Sequence, residues 1–488
     1  FLRNTAFYVR ESNENSIYKI AESIRNKIEN ELIKNGFKGE ELAVIKALIL
    51  GQRNDISKDL LEDYTNAGAI HILAVSGLHV GIILLILMFI LKPLERLKNG
   101  KIIKLCFIVL LLWFFAVIAG LSASVVRAVT MFTAIAIGMS FNRKTLVQHT
   151  LIASMFVLLL IKPMFLFDVG FQLSYLAVFS IVTIQPKLYQ LWNPKWFIFD
   201  KFWQLFTVSV AAQLGVLPVS LFYFHQFPGL FMLSNLVIIP FIGIILMLGI
   251  LVIVLALFQI LPSFLADIYG FIISLMNQFV SWISIQESFL IKEIPFSTLL
   301  LIVSYISLIF GFRYFERKTF KSVVAFLSII VVFQLSVFHE KHQTETTNEF
   351  VIFTKSRKTI IGENKNGNLK IYHDLDSVSV KILGLIKDYK VGKKVTTVEF
   401  KNQFTNSYQF KNDTFILVDS LGVYQLETKL KPIVLLIQSP KINLERLIEK
   451  MQPKQIIADA SNYKNQVLKW RYICDKNGIP FYYTAEKG

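Results

Sequence analysis

Long apolar runs fill the middle of the chain, between residues 70 and 338, and short polar stretches separate them. A straight membrane-spanning helix needs roughly 20 apolar residues, and several runs are shorter, as expected of re-entrant helices or of spans with frayed ends. The pattern predicts a polytopic α-helical membrane protein with about ten transmembrane or re-entrant helices. The runs lie near residues 70–91, 105–120, 124–140, 146–161, 166–184, 203–224, 231–258, 264–284, 297–312 and 322–338.

The regions on either side of the apolar runs are patterned differently. Near the start, hydrophobic residues recur at helical spacing, at Ile17, Ile20, Ile24, Ile28 and Leu32. They predict an amphipathic helix that either packs within its own domain or lies on the membrane surface. From about residue 344, alternations such as "FVIFTKSRKTIIG" and "TFILVDS" predict strands. We therefore expect an amphipathic extracytoplasmic region at 1–69, a transmembrane domain at 70–338 and a soluble α+β domain at 344–488.

The loops between the apolar runs carry basic residues on alternate sides. One set, "KPLERLKNGKIIK", "NRK", "QPKLYQLWNPKWFIFDK", "QILPS" and "RYFERKTFK", holds fourteen Lys and Arg. The other set, "LSAS", "KPM", "HQFPG" and "QESFLIKEIPF", holds two. Basic loops stay in the cytoplasm by the positive-inside rule. The sequence therefore predicts that both ends of the chain lie outside the cytoplasm.

Composition agrees with a membrane location and adds a basic charge. Of the 488 residues 54% are hydrophobic, and 51 Lys and Arg against 34 Asp and Glu give a net charge of +17. That charge fits basic cytoplasmic loops, a polyanionic partner, or both. The two cysteines, Cys106 and Cys474, imply no disulfide framework. Because the first residue is Phe rather than Met, we expect the sequence to begin partway through a longer protein.

Five motifs that mix polar and apolar residues follow one another along the apolar region. They are "GAIHILAVSGLHVGIIL", "SASVVRAVTM", "DVGFQLSYLAV", "AAQLGVLPVSLFYF" and "SNLVIIPFIG". In this order they resemble the ComEC-type competence channel family, over about residues 40–312. The resemblance implies an inner-membrane channel that passes single-stranded DNA into the cytoplasm during natural transformation. It also implies an OB-like domain, of which "NTAFYVRES" is expected to be the last strand.

The expected partners are single-stranded DNA, membrane lipid, other competence proteins and further copies of the chain, and no cofactor is expected. Two other functions stay open. One is a membrane-tethered nuclease that acts on incoming DNA, for which a metal-ligand cluster is required. The other is a secondary transporter for a small anion, since such proteins share broken helices and buried polar groups.

The first motif places polar side chains where lipid offers them no partner. Ser76 and His79, three positions apart, share roughly one face of the predicted helix. They serve either as interhelical hydrogen-bonding groups or as part of a functional site. Gly77 and Gly81 form a small-xxx-small pair at which another helix approaches closely. His71 lies nearer the outer boundary and is either interfacial or functional.

Other polar residues also allow both a structural and a channel interpretation. Arg127 either snorkels to lipid headgroups or faces inward, where its planar guanidinium suits a DNA phosphate. Tyr175 either packs between helices or offers a surface for base stacking. Asn235 with Pro240, and also Pro218, predict helix interruptions whose freed backbone groups need water or neighbours.

Uncharged polar residues complete the predicted path. Gln172, Ser174 and Gln213 either form hydrogen bonds between helices or line a wet path that does not trap an anion. The predicted channel residues are Ser76, His79, Arg127, Gln172, Ser174, Gln213 and Asn235. The residues predicted to act in helix packing or interruption are Gly77, Gly81, Pro218 and Pro240. No catalytic or metal-binding residue is predicted.

The tail resembles a truncated metallo-β-lactamase fold, which ends many members of this family. Its metal cluster has the form HxHxDH, whereas the histidines here, His339, His342 and His373, do not have that spacing. The last segment, from "PIVLLIQSPK" to "GIPFYYT", follows the order strand, helix, strand, helix, strand. "QSPK", residues 438–441, stands where that fold usually has a metal-binding histidine. We therefore expect a degenerate domain that binds no metal and is not an enzyme.

Overall fold

The structure is a computed structural model that describes residues 17–140, 147–346, 348–375, 384–424 and 431–487. The chain forms two compact units, residues 1–294 and 295–488. The sequence "NTAFYVRES", predicted as the end of an OB-like domain, lies outside the described residues.

The first helices share a core with later ones. Helix α1 (Ile17–Lys34) is the predicted amphipathic helix, with Ile28 and Leu32 buried and Ile20 exposed. Its buried residues pack in one cluster with those of α2 (Gly39–Ile45), α3 (Lys58–Asn66) and residues 238–283. The predicted boundary at residue 69 is therefore not a boundary between compact units, because later helices cover the apolar face of α1.

The apolar runs of the first unit form helices joined by short loops. These are α4 (Ile70–Leu73), α5 (Gly77–Ile90), α6 (Gly100–Ile118), α7 (Ala123–Ser140), α8 (Val147–Ile161), α9 (Val169–Tyr189), α10 (Phe197–Phe224), α11 (Phe231–Leu257) and α12 (Ser263–Ser284). Two short strands, β1 (Phe227–Pro228) and β2 (Leu290–Ile291), pair antiparallel.

The described residues contain seven helices that are long and apolar enough to cross a membrane. They are α6, α9, α10, α11 and α12, and in the second unit α13 (Thr298–Glu316) and α14 (Phe320–Thr346). Three shorter apolar helices lie at residues 77–90, 123–138 and 148–161. The chain is thus a multi-pass membrane protein, while the count of about ten spans stays a prediction.

Three details differ from the sequence prediction. The run at 70–91 is not one helix, because Ser76 adopts an extended conformation (φ −117°, ψ 176°) and caps the start of α5. Helix α10 continues through Pro218, and α11 continues through Asn235 and Pro240, where interruptions were expected. A proline removes one backbone donor, yet membrane helices tolerate it where neighbouring groups satisfy the freed carbonyl.

The last two apolar helices belong with the C-terminal domain. Glu340, near the end of α14, is buried and pairs with Lys394 of that domain. The same carboxylate accepts a hydrogen bond from Ser297, which caps α13. The predicted boundary between residues 338 and 344 therefore falls inside α14, because this buried ion pair ties the helix to the domain.

The C-terminal domain begins with a four-stranded sheet of order β3-β4-β5-β6. Its elements are β3 (Asn348–Lys355), β4 (Lys358–Lys365), β5 (Asn368–His373), α15 (Gly384–Gly392) and β6 (Thr397–Lys401). Strands β3, β4 and β5 are antiparallel, and β6 joins β5 in parallel. Ile386 of α15 packs with Ile360 and Ile371 on one face of this sheet.

A five-stranded sheet of order β11-β10-β9-β8-β7 follows. Its elements are β7 (Ser407–Phe410), β8 (Asp413–Val418), β9 (Ile433–Leu436), α16 (Leu444–Met451), β10 (Gln455–Ala458), α17 (Lys464–Lys476), β11 (Phe481–Tyr483) and α18 (Thr484–Lys487). Ile361 and Tyr372 pack with Leu417 and Leu435 between the sheets, and Trp470 of α17 packs on the other face of the second. This confirms an α+β domain that ends in the predicted strand–helix–strand–helix–strand order.

Candidate functional site

Two of the shorter apolar helices, α5 and α7, begin side by side in the first unit. The hydroxyl of Ser124, in the first turn of α7, donates a hydrogen bond of 3.1 Å to the carbonyl of Val75, just before α5. Helix α6 runs back between them along the chain, so α5 and α7 point the same way. The positive ends of two helix dipoles therefore lie together.

The first turn of α5 is held by its own serine and histidine. The backbone N–H of Ser76 donates to Nδ1 of His79 at 3.3 Å, and the Ser76 hydroxyl lies 3.0 Å from the same nitrogen. This is the arrangement of a capping box, with histidine in the place that Glu or Gln usually takes. The His79 side chain is 1% exposed, and its Nε2 has no hydrogen-bond partner among the described residues.

Arg127, on α7, is buried against this turn. It is 1% exposed, and its Nη2 lies 3.6 Å from the point that a Cβ on Gly77 would occupy. Its Nε and Nη1 form no hydrogen bond, and no carboxylate of the described residues forms an ion pair with it. A buried charge without a partner costs several kcal/mol, on the order of the penalty for desolvating one ion. The arginine therefore faces the interior of the helical unit, where no carboxylate of the described residues balances its charge.

The wall opposite Arg127 comes from α9 and α8. The Arg127 guanidinium carbon lies 5.3 Å from the ring centroid of Tyr175, which gives a cation–π contact. The Tyr175 hydroxyl lies 3.1 Å from the hydroxyl of Ser154 on α8. Sequence reasoning missed Ser154, because a single serine in an apolar helix gives no signal of its partner.

Two glycines let α7 approach α5. A Cβ on Gly81 would lie 3.0 Å from the ring of Phe132, and Gly77 faces Arg127. Phe132 and Arg127 both belong to α7. A larger side chain at either glycine would meet this helix, as expected of a small-xxx-small pair.

The remaining predicted channel residues are not joined to this cluster. Gln172 donates to the carbonyl of Leu166, in the turn before its own helix, at 2.8 Å. Ser174 and Gln213 are half-buried. Asn235 has a buried Oδ1 without a partner among the described residues. His71, in the short helix α4, is exposed.

The C-terminal domain has its own buried polar cluster, which sequence reasoning missed. Asp459, after β10, accepts hydrogen bonds from the hydroxyl of Thr359 at 2.7 Å and from Ser461 and Asn462. Burial raises the pKa of Asp459 to about 6, although the bonds from Ser461 and Thr359 oppose that rise. The signal was present in "QIIADASN", where polar residues follow a buried strand.

Gln438, which stands where the metallo-β-lactamase fold usually has a metal-binding histidine, is hydrogen-bonded to Asp374. Asp374 accepts from the backbone of Thr359 at 3.3 Å and from Nε2 of Gln438 at 3.4 Å. His373 is buried, and its Nδ1 accepts from the backbone N–H of Leu375 at 3.2 Å. Across the described ranges, no group of three or more His, Cys, Asp or Glu residues is placed to hold a metal ion.

Two family models match this chain over most of its length. The family described as "Competence protein" matches residues 48–318, more than half of the chain, and "ComEC C-terminal domain" matches residues 350–488. ComE operon protein 3 of Bacillus subtilis (strain 168) is 32% identical over 202 residues, which are 41% of this chain. The matched part spans 25% of the length of that relative. No solved structure matches the chain.

Proposed function

Since the chain belongs to the competence protein family, we propose that it takes up DNA during competence by conducting a single strand across the inner membrane. The seven helices of spanning length among the described residues support a role in transport across a membrane. The observation that carries the proposal is Arg127, a buried and unpaired cation inside the helical unit. A buried ionisable group inside a helical membrane protein is by default a functional-site hypothesis, and in a transport protein that site is the path.

The proposed path begins at the junction of α5 and α7. Arg127 meets the phosphates of the strand, and Ser76 with His79 forms the neighbouring wall. The uncharged groups of Gln172, Ser174, Gln213 and Asn235 follow without holding a polyanion tightly. The two glycines of α5 act in packing by admitting α7, and Pro218 and Pro240 lie within continuous helices.

The proposal extends to topology and assembly. From the loop charges we infer that both ends of the chain lie outside the cytoplasm, with the C-terminal domain on the side where DNA arrives. Other competence proteins and further copies of the chain are the proposed protein partners, besides single-stranded DNA and lipid.

For the C-terminal domain we propose a metallo-β-lactamase-like scaffold without a metal centre. Two packed sheets with helices on their outer faces support the likeness. Gln438 and Ser439 occupy the loop after β9, and their backbone N–H groups are already bonded to Ser461 and Asn462. Metal analysis of the purified, untagged chain tests this, and stoichiometric zinc or manganese contradicts it. In that case His373 and Asp374 are the first residues to exchange.

The function as a whole is tested by deleting the gene that encodes the chain. Cells are given end-labelled double-stranded DNA, and the label is measured separately on the cell surface and in the cytoplasm. The proposal predicts surface label at the wild-type level and loss of internal label, restored by a plasmid copy. Normal internal label in the deletion strain contradicts the proposed function. A nuclease role instead predicts intact internal DNA together with reduced release of degraded label.

A further inference from the structure

We propose that the first turn of α5, together with Arg127 and His79, forms a binding site for one phosphate group. The inference rests on the proposed function, because the phosphate it assigns is one of the strand in transit. The site lies within a single compact unit. Its components are buried side chains and helix ends rather than surface residues.

The first argument is an excess of positive charge. The amides at the start of a helix have no intrahelical partner, and the helix dipole places about half a positive charge there. Here the guanidinium of Arg127 lies against Gly77, at the first position of α5, and not far from the start of its own helix α7. Like charges in a buried place repel each other, so an anion is needed to balance them.

The second argument is an excess of donors. Nδ1 of His79 accepts the Ser76 N–H, so a neutral His79 carries its proton on Nε2. That Nε2, with Nε and Nη1 of Arg127, makes three buried hydrogen-bond donors that have no acceptor among the described residues. Burying such groups unpaired costs roughly 1–3 kcal/mol each. A ligand that offers several oxygen acceptors removes this cost.

The third argument selects phosphate among the anions. The planar guanidinium matches two oxygens of a phosphate in a fork, and phosphates bind at helix N-termini. Gly77 contributes no side chain, which leaves the first turn of α5 open toward Arg127. The ring of Tyr175 faces the guanidinium, with its centroid 5.3 Å from the guanidinium carbon, so it covers one side of the site.

The same phosphate chemistry exists in a DNA strand and in a lipid headgroup. To separate them, the purified full chain is placed in nanodiscs of zwitterionic lipid, and the affinity of fluorescent oligothymidylate is measured by anisotropy over a range of salt. An oligomer with an uncharged methylphosphonate backbone is the ligand control. Arg127→Gln is the test variant, and Lys292→Gln, which removes an exposed charge from a predicted outer loop, is the matched control.

The proposal predicts that Arg127→Gln raises Kd by about tenfold or more, as expected for loss of a charged hydrogen bond. The slope of log K against log salt should fall by about 0.7, the value for one phosphate contact on a single strand. Lys292→Gln should change Kd by less than about twofold, since exposed charges contribute little. The methylphosphonate oligomer should bind Arg127→Gln and the wild-type protein with the same Kd.

Arg127→Lys is a second variant, in case Arg127→Gln fails to fold. It keeps the positive charge but loses the planar guanidinium that can bind two phosphate oxygens. It should bind with intermediate affinity and an unchanged salt slope. Unchanged affinity and slope in both arginine variants overturn the phosphate site. If oligothymidylate binding is unaffected but Arg127→Gln loses a co-purified anionic lipid, the ligand is a headgroup and the assignment to the strand is wrong. The two claims can also fail separately. If Arg127→Gln loses binding but deletion of the gene leaves DNA uptake normal, the phosphate site stands and the proposed function is wrong.

Discussion

Arg127 of α7 lies over the ring of Tyr175 of α9, with 5.3 Å between the guanidinium carbon and the ring centroid. The contact joins two helices that are separated along the chain by α8. It holds a buried cation in place although no described carboxylate is paired with it. The face of the aromatic ring thus attracts the guanidinium electrostatically, as an anion would, but it does not neutralise the charge.

Exchanging Tyr175 tests how much the aromatic ring beside Arg127 contributes to the stability of the folded protein. Tyr175→Phe keeps the ring and loses the contact with Ser154, whereas Tyr175→Leu loses both. We expect Tyr175→Leu to be less stable than Tyr175→Phe by about 2 kcal/mol, the size of a desolvated cation–π contact. Thermal unfolding of the purified full chain measures the difference. Equal melting temperatures would show that the aromatic ring stabilises the fold no more than an aliphatic side chain does.

Helices α9 and α10 approach each other closely at Gly215. A Cβ there would lie 2.0 Å from Oγ of Ser180 and 2.8 Å from the carbonyl oxygen of Leu176. Gly215→Ala should therefore separate the two helices and cost roughly 1–3 kcal/mol, as overpacking does. Gly243→Ala is the matched control, because its Cβ would lie 3.9 Å from Ile82 in ordinary contact. Melting temperatures that fall equally in both variants would contradict this account.

The sequence predicted much of the helical architecture because its signals are local. The spacing of Ile24, Ile28 and Leu32 indicated α1, and the apolar runs indicated the long helices. The break at Ser76 escaped prediction because hydropathy is continuous across it, while the break depends on one side-chain cap. The continuity of α11 through Pro240 could not be predicted, because the effect of a proline on a helix depends on the groups that surround the helix.

The site could be predicted in part. Ser76, His79 and Arg127 stood out as polar residues in apolar runs, and the structure brings them together. Their meeting with Tyr175 could not be inferred, since no sequence rule says which face of α9 meets α7. Gln172 stood out for the same reason, yet its side-chain amide donates to the carbonyl of Leu166, in the turn before its own helix. The sequence therefore identifies polar residues in apolar segments as candidates, and only the structure shows which groups they contact.

Stability of the C-terminal domain should depend on pH through Asp459. Burial raises its pKa to about 6, above the value of 3.8 for a free side chain. The folded state thus binds the proton more tightly, so stability falls as pH rises from about 4 to about 6, by roughly 3 kcal/mol for this group alone. Hydrogen exchange of residues 431–487 in the full chain, corrected for intrinsic rates, should show stronger protection at pH 5 than at pH 7.

Asp459→Asn is the control for that pH dependence. Its Oδ1 can still accept from Ser461 and Asn462, and the Thr359 hydroxyl can turn to accept from the new amide. Protection in this variant should be nearly the same at the two pH values. A pH dependence as steep as that of wild type would assign the effect to another group.

The position of the chain's end tests the proposed topology. Fourteen basic residues in one set of loops against two in the other predict that both ends lie outside the cytoplasm. Alkaline phosphatase, which folds only outside the cytoplasm, should be active when fused after Gly488, and a reporter restricted to the cytoplasm should be silent at the same place. A strong cytoplasmic signal would invert the path and put Arg127 at its exit.

Protein level separates a transport role of the buried cluster from a packing role. Removing Gly81 by Gly81→Leu should destabilise the contact of α5 with Phe132 and reduce the amount of protein in the membrane. Arg127→Ala removes the contact with Tyr175, but it also removes a buried charge that has no ion pair and costs several kcal/mol, so the variant should accumulate nearly normally. If Arg127→Ala also disappears from the membrane fraction, the arginine is a packing residue.

The central claim is that Arg127 serves DNA transport, and the most direct test is the amount of labelled DNA that enters cells carrying Arg127→Ala as their sole copy. Internal label is divided by the membrane level of the protein, with Lys292→Ala as a control for the loss of an exposed charge. We predict that normalised uptake falls about tenfold or more in Arg127→Ala and stays near wild type in the control. Wild-type uptake by an Arg127→Ala protein that accumulates normally would contradict the account.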